Sequence, residues 1–162
     1  MTPASTMRGR HAARGWLLTS AIVALVGAAA GYLYDPPWVG GTTMGFGSWE
    51  TEGPGIRFRW TGGHATFYVP RDATLMTLPL RSQFGGPGDG PVSISLSVDD
   101  RLLTDIVLDD PGAWVRSIVP LPRRATRRRF RRVDLRVSRT VGEPTFGVMV
   151  GEIALERANA GR

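Results

Sequence analysis

The sequence predicts an all-β fold, an antiparallel β-sandwich of jelly-roll type, preceded by one N-terminal transmembrane helix. Three observations predict it. Apolar residues recur at every second position through most of the chain after Gly55. The 21 glycines and 12 prolines gather between those runs, where turns belong. A stretch of nineteen uncharged residues, Trp16 to Tyr34, lies ahead of them all. Alternation with a period of two marks a half-buried strand and not a helix.

The uncharged stretch comes first in the chain. A helix of that length, at about 1.5 Å per residue, matches a bilayer core of roughly 30 Å. Arg8, Arg10 and Arg14 precede it, while Asp35, Glu50 and Glu52 come before the next arginine on the far side. Positive charge stays inside, so the expected topology is single-pass in the plasma (inner) membrane, with the C-terminal domain periplasmic or extracellular. Trp16 at one end, and Tyr32, Tyr34 and Trp38 at the other, suit the two interfaces. The alternative is a signal peptide cleaved after Ala30. An uncleaved signal anchor is favoured because the apolar run continues to Tyr34. Gly27 and Gly31 have the spacing of a close helix–helix contact, which would give a weak homodimer. Pro36-Pro37 ends the helix.

The expected division is a basic cytoplasmic arm over 1–15, the membrane helix over 16–34 and a glycine-rich linker over 35–47. A sandwich over 48–157 and a disordered tail over 158–162 follow. About nine strands are expected in the sandwich. Ile56, Phe58 and Trp60 alternate with Arg57 and Arg59. Ala65, Phe67 and Val69 form a second strand, separated from the first by a tight turn at Gly62-Gly63 and closed by Pro70. Met76, Leu78 and Leu80 form a third. The clearest case is Val92 to Val98, where four aliphatic residues alternate with Ser93, Ser95 and Ser97. Asp99-Asp100 reads as a hairpin turn into Arg101 to Leu108. Asp109-Asp110-Pro111-Gly112 reads as the next turn, leading to Trp114 to Val119. Val133, Leu135 and Val137 supply another strand. Phe146, Val148 and Val150 pass through Gly151, a bulge, to Ile153 and Leu155.

Composition removes several chemistries. The net charge is +6 and every basic residue is Arg. There is no Cys, which excludes disulfides, thiol catalysis and thiolate metal sites. With two histidines, His11 and His64, a multi-histidine metal centre is excluded within one chain. No nucleophile elbow of the form GxSxG occurs. The glycine-rich run Gly85 to Gly90 precedes a strand and lacks the lysine of a phosphate cradle, so it is an inter-strand loop.

The segments RFRWTGGHATFYVP (57–70), LPLR (78–81), SISLSVDDRLL (93–103), WVRSIVPLP (114–122), RRFRRVDLRVSRT (128–140) and GVMVGEIAL (147–155) follow a familiar order. Over about residues 46–156 the chain resembles galactose-binding-like, carbohydrate-binding-module-like β-sandwich domains associated with bacterial membrane glycosyltransferases. The resemblance implies a non-catalytic envelope module that binds glycan or a glycolipid intermediate. A scaffold docked on a membrane glycosyltransferase without touching sugar is the second reading.

Candidate site residues follow from side-chain chemistry. Aromatic faces pack on sugar C–H surfaces while Arg and His bond hydroxyls. Trp49, Arg57, Arg59, His64, Tyr68 and Trp114 are therefore the glycan-binding candidates. Trp60, in phase with Ile56 and Phe58, belongs to the core instead. Arg123, Arg124, Arg127, Arg128, Arg129, Arg131 and Arg132 form a cluster able to bind anionic lipid or a phosphorylated polymer, against the plainer reading of a solvated basic face. Nucleic acid is disfavoured, since Phe130 is the lone aromatic among them. No cofactor is expected. Glu50, Asp99, Asp100 and Glu152 are weak oxygen-ligand candidates for a structural Ca²⁺, although turn chemistry accounts for the aspartates.

Overall fold

The computed structural model describes residues 8–53, 55–85, 88, 90–122 and 128–158, with side chains from 16 onward except those of 17 and 18. The chain divides into two compact units, Met1–Pro37 and Trp38–Arg162. The first holds one helix, α1 (Arg8–Tyr34). It starts within the stretch expected to be a basic arm. Among the described residues no helix is long and apolar enough to cross a membrane, so the expected transmembrane span is not supported. An added Cβ at Gly27 or Gly31 would meet nothing within 4 Å.

A 3₁₀ turn, Pro37–Gly41, leads into the second unit, whose other regular elements among the described residues are all strands. They are β1 (Thr43–Phe46), β2 (Glu50–Glu52), β3 (Ile56–Pro70), β4 (Ala73–Arg81), β5 (Val92–Val98), β6 (Arg101–Leu108), β7 (Val115–Pro120), β8 (Phe130–Val137), β9 (Met149–Gly151) and β10 (Ala154–Arg157). Every pairing is antiparallel. One sheet runs β1-β3-β8-β5-β6. The other has β2, β3, β9, β4 and β7 in order, with β10 continuing β9 along the edge of β4. A single apolar core lies between them, built from Phe67, Val69, Val92, Ile94, Leu96, Val133 and Leu135 of the first sheet and Met76, Leu78, Leu80, Val119 and Val150 of the second. The fold is the expected antiparallel sandwich.

Two expectations fail for one physical reason: a glycine tolerates extended backbone as readily as a turn. Gly62-Gly63 is not a turn. It lies inside β3, whose residues 56–60 belong to the second sheet and 64–70 to the first. The linker is not a linker either, because Thr43–Phe46 adds β1 beside β3. Gly45 makes that pairing work. It sits at φ +71°, and a Cβ there would lie 2.0 Å from the His64 carbonyl oxygen. The register skips at this point, as a bulge requires.

The crossing of β3 is stitched by its own residue Thr61, which is 1% exposed. Its backbone N–H donates to Val148 O at 2.8 Å, and Gly147 N–H donates to Thr61 O at 2.7 Å. The Thr61 hydroxyl accepts from Val148 N–H at 2.9 Å and donates to Val148 O at 3.2 Å. Gly147 approaches so closely that an added Cβ would fall 2.4 Å from Gly62 O.

Replacing Thr61 by Val keeps the shape and removes the hydroxyl, leaving the buried Val148 N–H unpaired. The expected loss is about 1–3 kcal/mol. The urea midpoint of unfolding, followed by tryptophan fluorescence, measures it; an unchanged midpoint would show that the crossing does not depend on this hydroxyl.

Candidate functional site

Alternation sends every second residue of the first sheet outward, and register decides which of them meet. Three rows result. The middle row crosses all five strands as Met44, Thr66, Asp134, Ser97 and Leu102. A second row holds His64, Arg136, Ser95 and Asp105. In a third, Tyr68 pairs with Arg132, whose backbone meets Asp99 at the β5–β6 turn. These rows line an open hollow of about 430 Å³.

Asp134 is its centre, only 6% exposed. Its Oδ1 accepts the Thr66 hydroxyl at 2.7 Å and lies 3.2 Å from His64 Nε2. Its Oδ2 accepts Arg132 Nε–H at 2.9 Å. Burial pushes the Asp134 carboxyl up, but the hydrogen bonds from Thr66, Arg132 and His64 outweigh it and hold the group below its ordinary range. A carboxylate offers about four acceptor positions; three are engaged here, and Asp134 lines the hollow. Arg132 also pairs with Asp100, and its backbone N–H donates to Asp99 Oδ1 at 3.1 Å. Ser95 donates to Asp105 at 2.6 Å. The hydroxyls of Ser97 and Tyr68 make no hydrogen bond among the described residues.

A second, shallower hollow of about 310 Å³ lies along the other sheet, lined by Ile56, Arg57, Pro79, Trp114, Arg116 and Glu152. Gly151 floors it; a Cβ there would come within 3.0 Å of Pro79. Beneath it Arg81, 8% exposed, forks onto Glu52 with bonds of 2.6 and 3.1 Å and stacks 5.1 Å over the Trp114 ring. The Arg81 hydrogen bond holds the Glu52 carboxyl below its usual range.

The six glycan candidates therefore separate. His64 and Tyr68 share the first hollow; Arg57 and Trp114 share the second. Arg59 lies between the rings of Phe46 and Trp49, at 4.0 and 4.8 Å, and donates to Thr43 Oγ1. Burial there pushes its guanidinium pKa down. Trp49 is taken up by Arg57 and Arg59.

The arginine cluster is not one surface. Arg123, Arg124 and Arg127 lie outside the described residues, and Arg128 and Arg129 are exposed just before β8. Arg131 is 1% exposed and donates to the carbonyls of Pro122 and Ala73, each at 2.7 Å. Arg132, on the opposite face of the strand, is held by carboxylates. Alternation splits these two neighbours, which an unbroken run of basic letters conceals.

The oxygen-ligand candidates also disperse. Asp99 and Asp100 occupy the hairpin turn at φ 50° and 64° and bind Arg132. Glu50 and Glu152 flank β3 from opposite edges, and Glu152 lies 3.5 Å from Arg57. Among the described residues no three of His, Asp and Glu gather to hold a metal ion.

No family model matches the sequence, and no curated protein matches it significantly. Among solved structures the chain is similar to a family two carbohydrate esterase from Clostridium thermocellum in complex with cellohexaose, at 12% identity and TM-score 0.43, over 75% of this chain and 34% of that one. It is similar to CsCBM6-3 from Clostridium stercorarium in complex with cellobiose, at 12% identity and TM-score 0.44, over 72% of this chain and 87% of that one. It is also similar to TmCBM61 in complex with β-1,4-galactotriose, at 14% identity and TM-score 0.40, over 66% of this chain and 73% of that one. An association with glycosyltransferases is not shown.

Asp134→Asn is expected to cost about 1–3 kcal/mol at neutral pH, since Arg132 loses a charged acceptor. A carboxyl lowered on folding stabilises fully above its unfolded value of about 3.9, and this is lost as pH falls through the folded value. Denaturant midpoints from pH 7 to pH 2 should fall less steeply in the variant. Parallel curves would mean that Asp134 is not the linked group.

Proposed function

We propose that this chain is a non-catalytic glycan-binding protein whose ligand lies on the outward face of β1-β3-β8-β5-β6. One observation carries this: a carboxylate fixed by three donors opens into a hollow rimmed by an aromatic ring and two uncommitted hydroxyls. Sugar recognition needs that combination, an apolar face for the ring C–H groups and oriented polar atoms for the hydroxyls. Tyr68 supplies the first, Asp134, Ser97 and His64 the second. The volume falls within the range of about 300–1,000 Å³ typical of small-ligand sites. The likeness to carbohydrate-binding modules agrees with this reading but does not decide it, at TM-scores of 0.40 to 0.44. A scaffold role on a glycosyltransferase is the alternative, and no observation favours it.

The test is affinity electrophoresis of the full chain, in a detergent without a sugar headgroup, through gels containing a panel of soluble polysaccharides. At least one is expected to retard the protein. Tyr68→Ala should weaken that retardation about tenfold, the equivalent of about 1.4 kcal/mol. Retardation by none, or retardation indifferent to Tyr68, would overturn the proposal.

Membrane attachment through α1 is a further part of the proposal. It is supported by the absence of charge from Trp16 to Tyr34 and by the exposure of every described side chain there, with Ile22, Val23, Leu25 and Leu33 each above 60%. A helix apolar on all sides is stable only in apolar surroundings. The full chain should stay in the pellet when membranes are washed at high pH, and Leu25→Asp with Val26→Asp should release it; release of the unaltered chain would remove this part.

A further inference from the structure

We propose that the ligand of the first hollow is an acidic glycan, one carrying carboxylates, and that Arg136 reads the carboxylate. This rests on the glycan-binding reading of that hollow and names its substrate class.

The inference follows from which charges in the hollow are already spent. Four ionised side chains line it: Asp100, Arg132, Asp134 and Arg136. Arg132 joins both carboxylates, bonding Asp134 through Nε and Asp100 through its terminal nitrogen. Asp134 takes Thr66 and His64 besides. Those three groups are bonded to one another and carry a net charge of −1. Arg136 stands two residues further along β8, on the same face, and is exposed. It makes no hydrogen bond or ion pair among the described residues. Its cross-strand neighbours are His64 on β3 and Ser95 on β5, neither of them an acid. The next carboxylate in that row, Asp105, lies one strand beyond and already accepts the Ser95 hydroxyl at 2.6 Å.

A solitary surface arginine is ordinarily a solvated charge. This one differs in position, because it borders a hollow whose other cation, Arg132, is already held by two carboxylates. The four charges sum to zero, but a ligand entering the hollow meets one cation, Arg136, that has no ion-pair partner among the described residues, and it is a planar fork of donors matched to a carboxylate. A neutral sugar would leave Arg136 partly desolvated and unpaired, which costs affinity. A uronic acid would pair with it while its hydroxyls meet Asp134 and Ser97. His64, on the other side of Arg136, adds a ring nitrogen to the same edge and no negative charge.

The experiment is titration calorimetry of the full chain with uronic-acid oligosaccharides (galacturonate, glucuronate and mannuronate series), each beside the same oligosaccharide with its carboxyls reduced to alcohols. At least one acidic member should bind about tenfold tighter than its reduced form at low salt, with the gap narrowing as salt rises. Arg136→Gln should bring the pair to within about twofold, Arg136→Lys should keep part of the preference, and Arg116→Gln on the opposite sheet should keep all of it. Equal affinity for acidic and reduced forms in the unaltered chain would overturn the acidic-ligand proposal and leave glycan binding standing. A preference that survives Arg136→Gln would overturn the role of Arg136. Binding of neither form, alongside a panel of neutral polysaccharides that also fails to bind, would overturn the glycan reading itself and this inference with it.

Discussion

The fold depends on one strand serving two sheets. β3 has fifteen residues, pairs with β2 and β9 in its first part, and with β1 and β8 in its second. A strand can leave one sheet for another only where its backbone hydrogen bonds are taken over without a gap, since a buried unpaired N–H or C=O costs about 1–3 kcal/mol. Thr61 and the segment Gly147-Val148 take over those bonds at the crossing. Close approach there demands glycine at 147, and the hydroxyl at 61 supplies the acceptor that the sheet ladder has given up. Both outward faces inherit their registers from this point.

The hollow is a consequence. After the crossing, residues 64, 66 and 68 of β3 point outward beside 136, 134 and 132 of β8, and the bulge at Gly45 places Met44 against Thr66. Had Gly62-Gly63 been a turn, His64 would stand in a loop with no fixed neighbour. Because the strand continues, His64 stands next to Asp134 within hydrogen-bonding distance. A one-residue slip of β3 would send Thr66 inward and Phe67 outward, so the apolar core and the polar face enforce the same register.

Much of this was legible in the letters. The alternation at Val92 to Val98 is realised residue for residue, with the aliphatic side chains buried and the serines half-exposed. The Asp99-Asp100 turn forms with both residues at positive φ, which aspartate tolerates better than most residues. The candidate site was only partly legible. The side-chain chemistry of His64 and Tyr68 marks them, and they do share a hollow, but Thr66, Ser97, Asp134 and Arg136 occupy unexceptional outward positions on three separate strands. Nothing in the local pattern distinguishes them; only the pairing of β3 with β8 and β8 with β5 brings them together. Arg131 shows the converse. Its letter signals a surface cation, yet the phase set by Val133 and Leu135 turns it inward, where two carbonyls replace water.

The same geometry bears on whether the hollow holds a ligand or transforms one. A carboxyl that works as general acid near neutral pH is raised toward 6 or 7 by apolar surroundings or a like charge. Asp134 is arranged the opposite way: its donors stabilise the ionised form and push the group down. It remains an anion across the physiological range, unable to give up a proton and weak at taking one. The nearest acid lining the same hollow, Asp100, is exposed and committed to Arg132 through the turn it helps to form. Both carboxylates are bound to one guanidinium and fix it. The network holds Asp134, Arg132 and Thr66 in fixed positions, which on the proposed reading lowers the ordering cost of association.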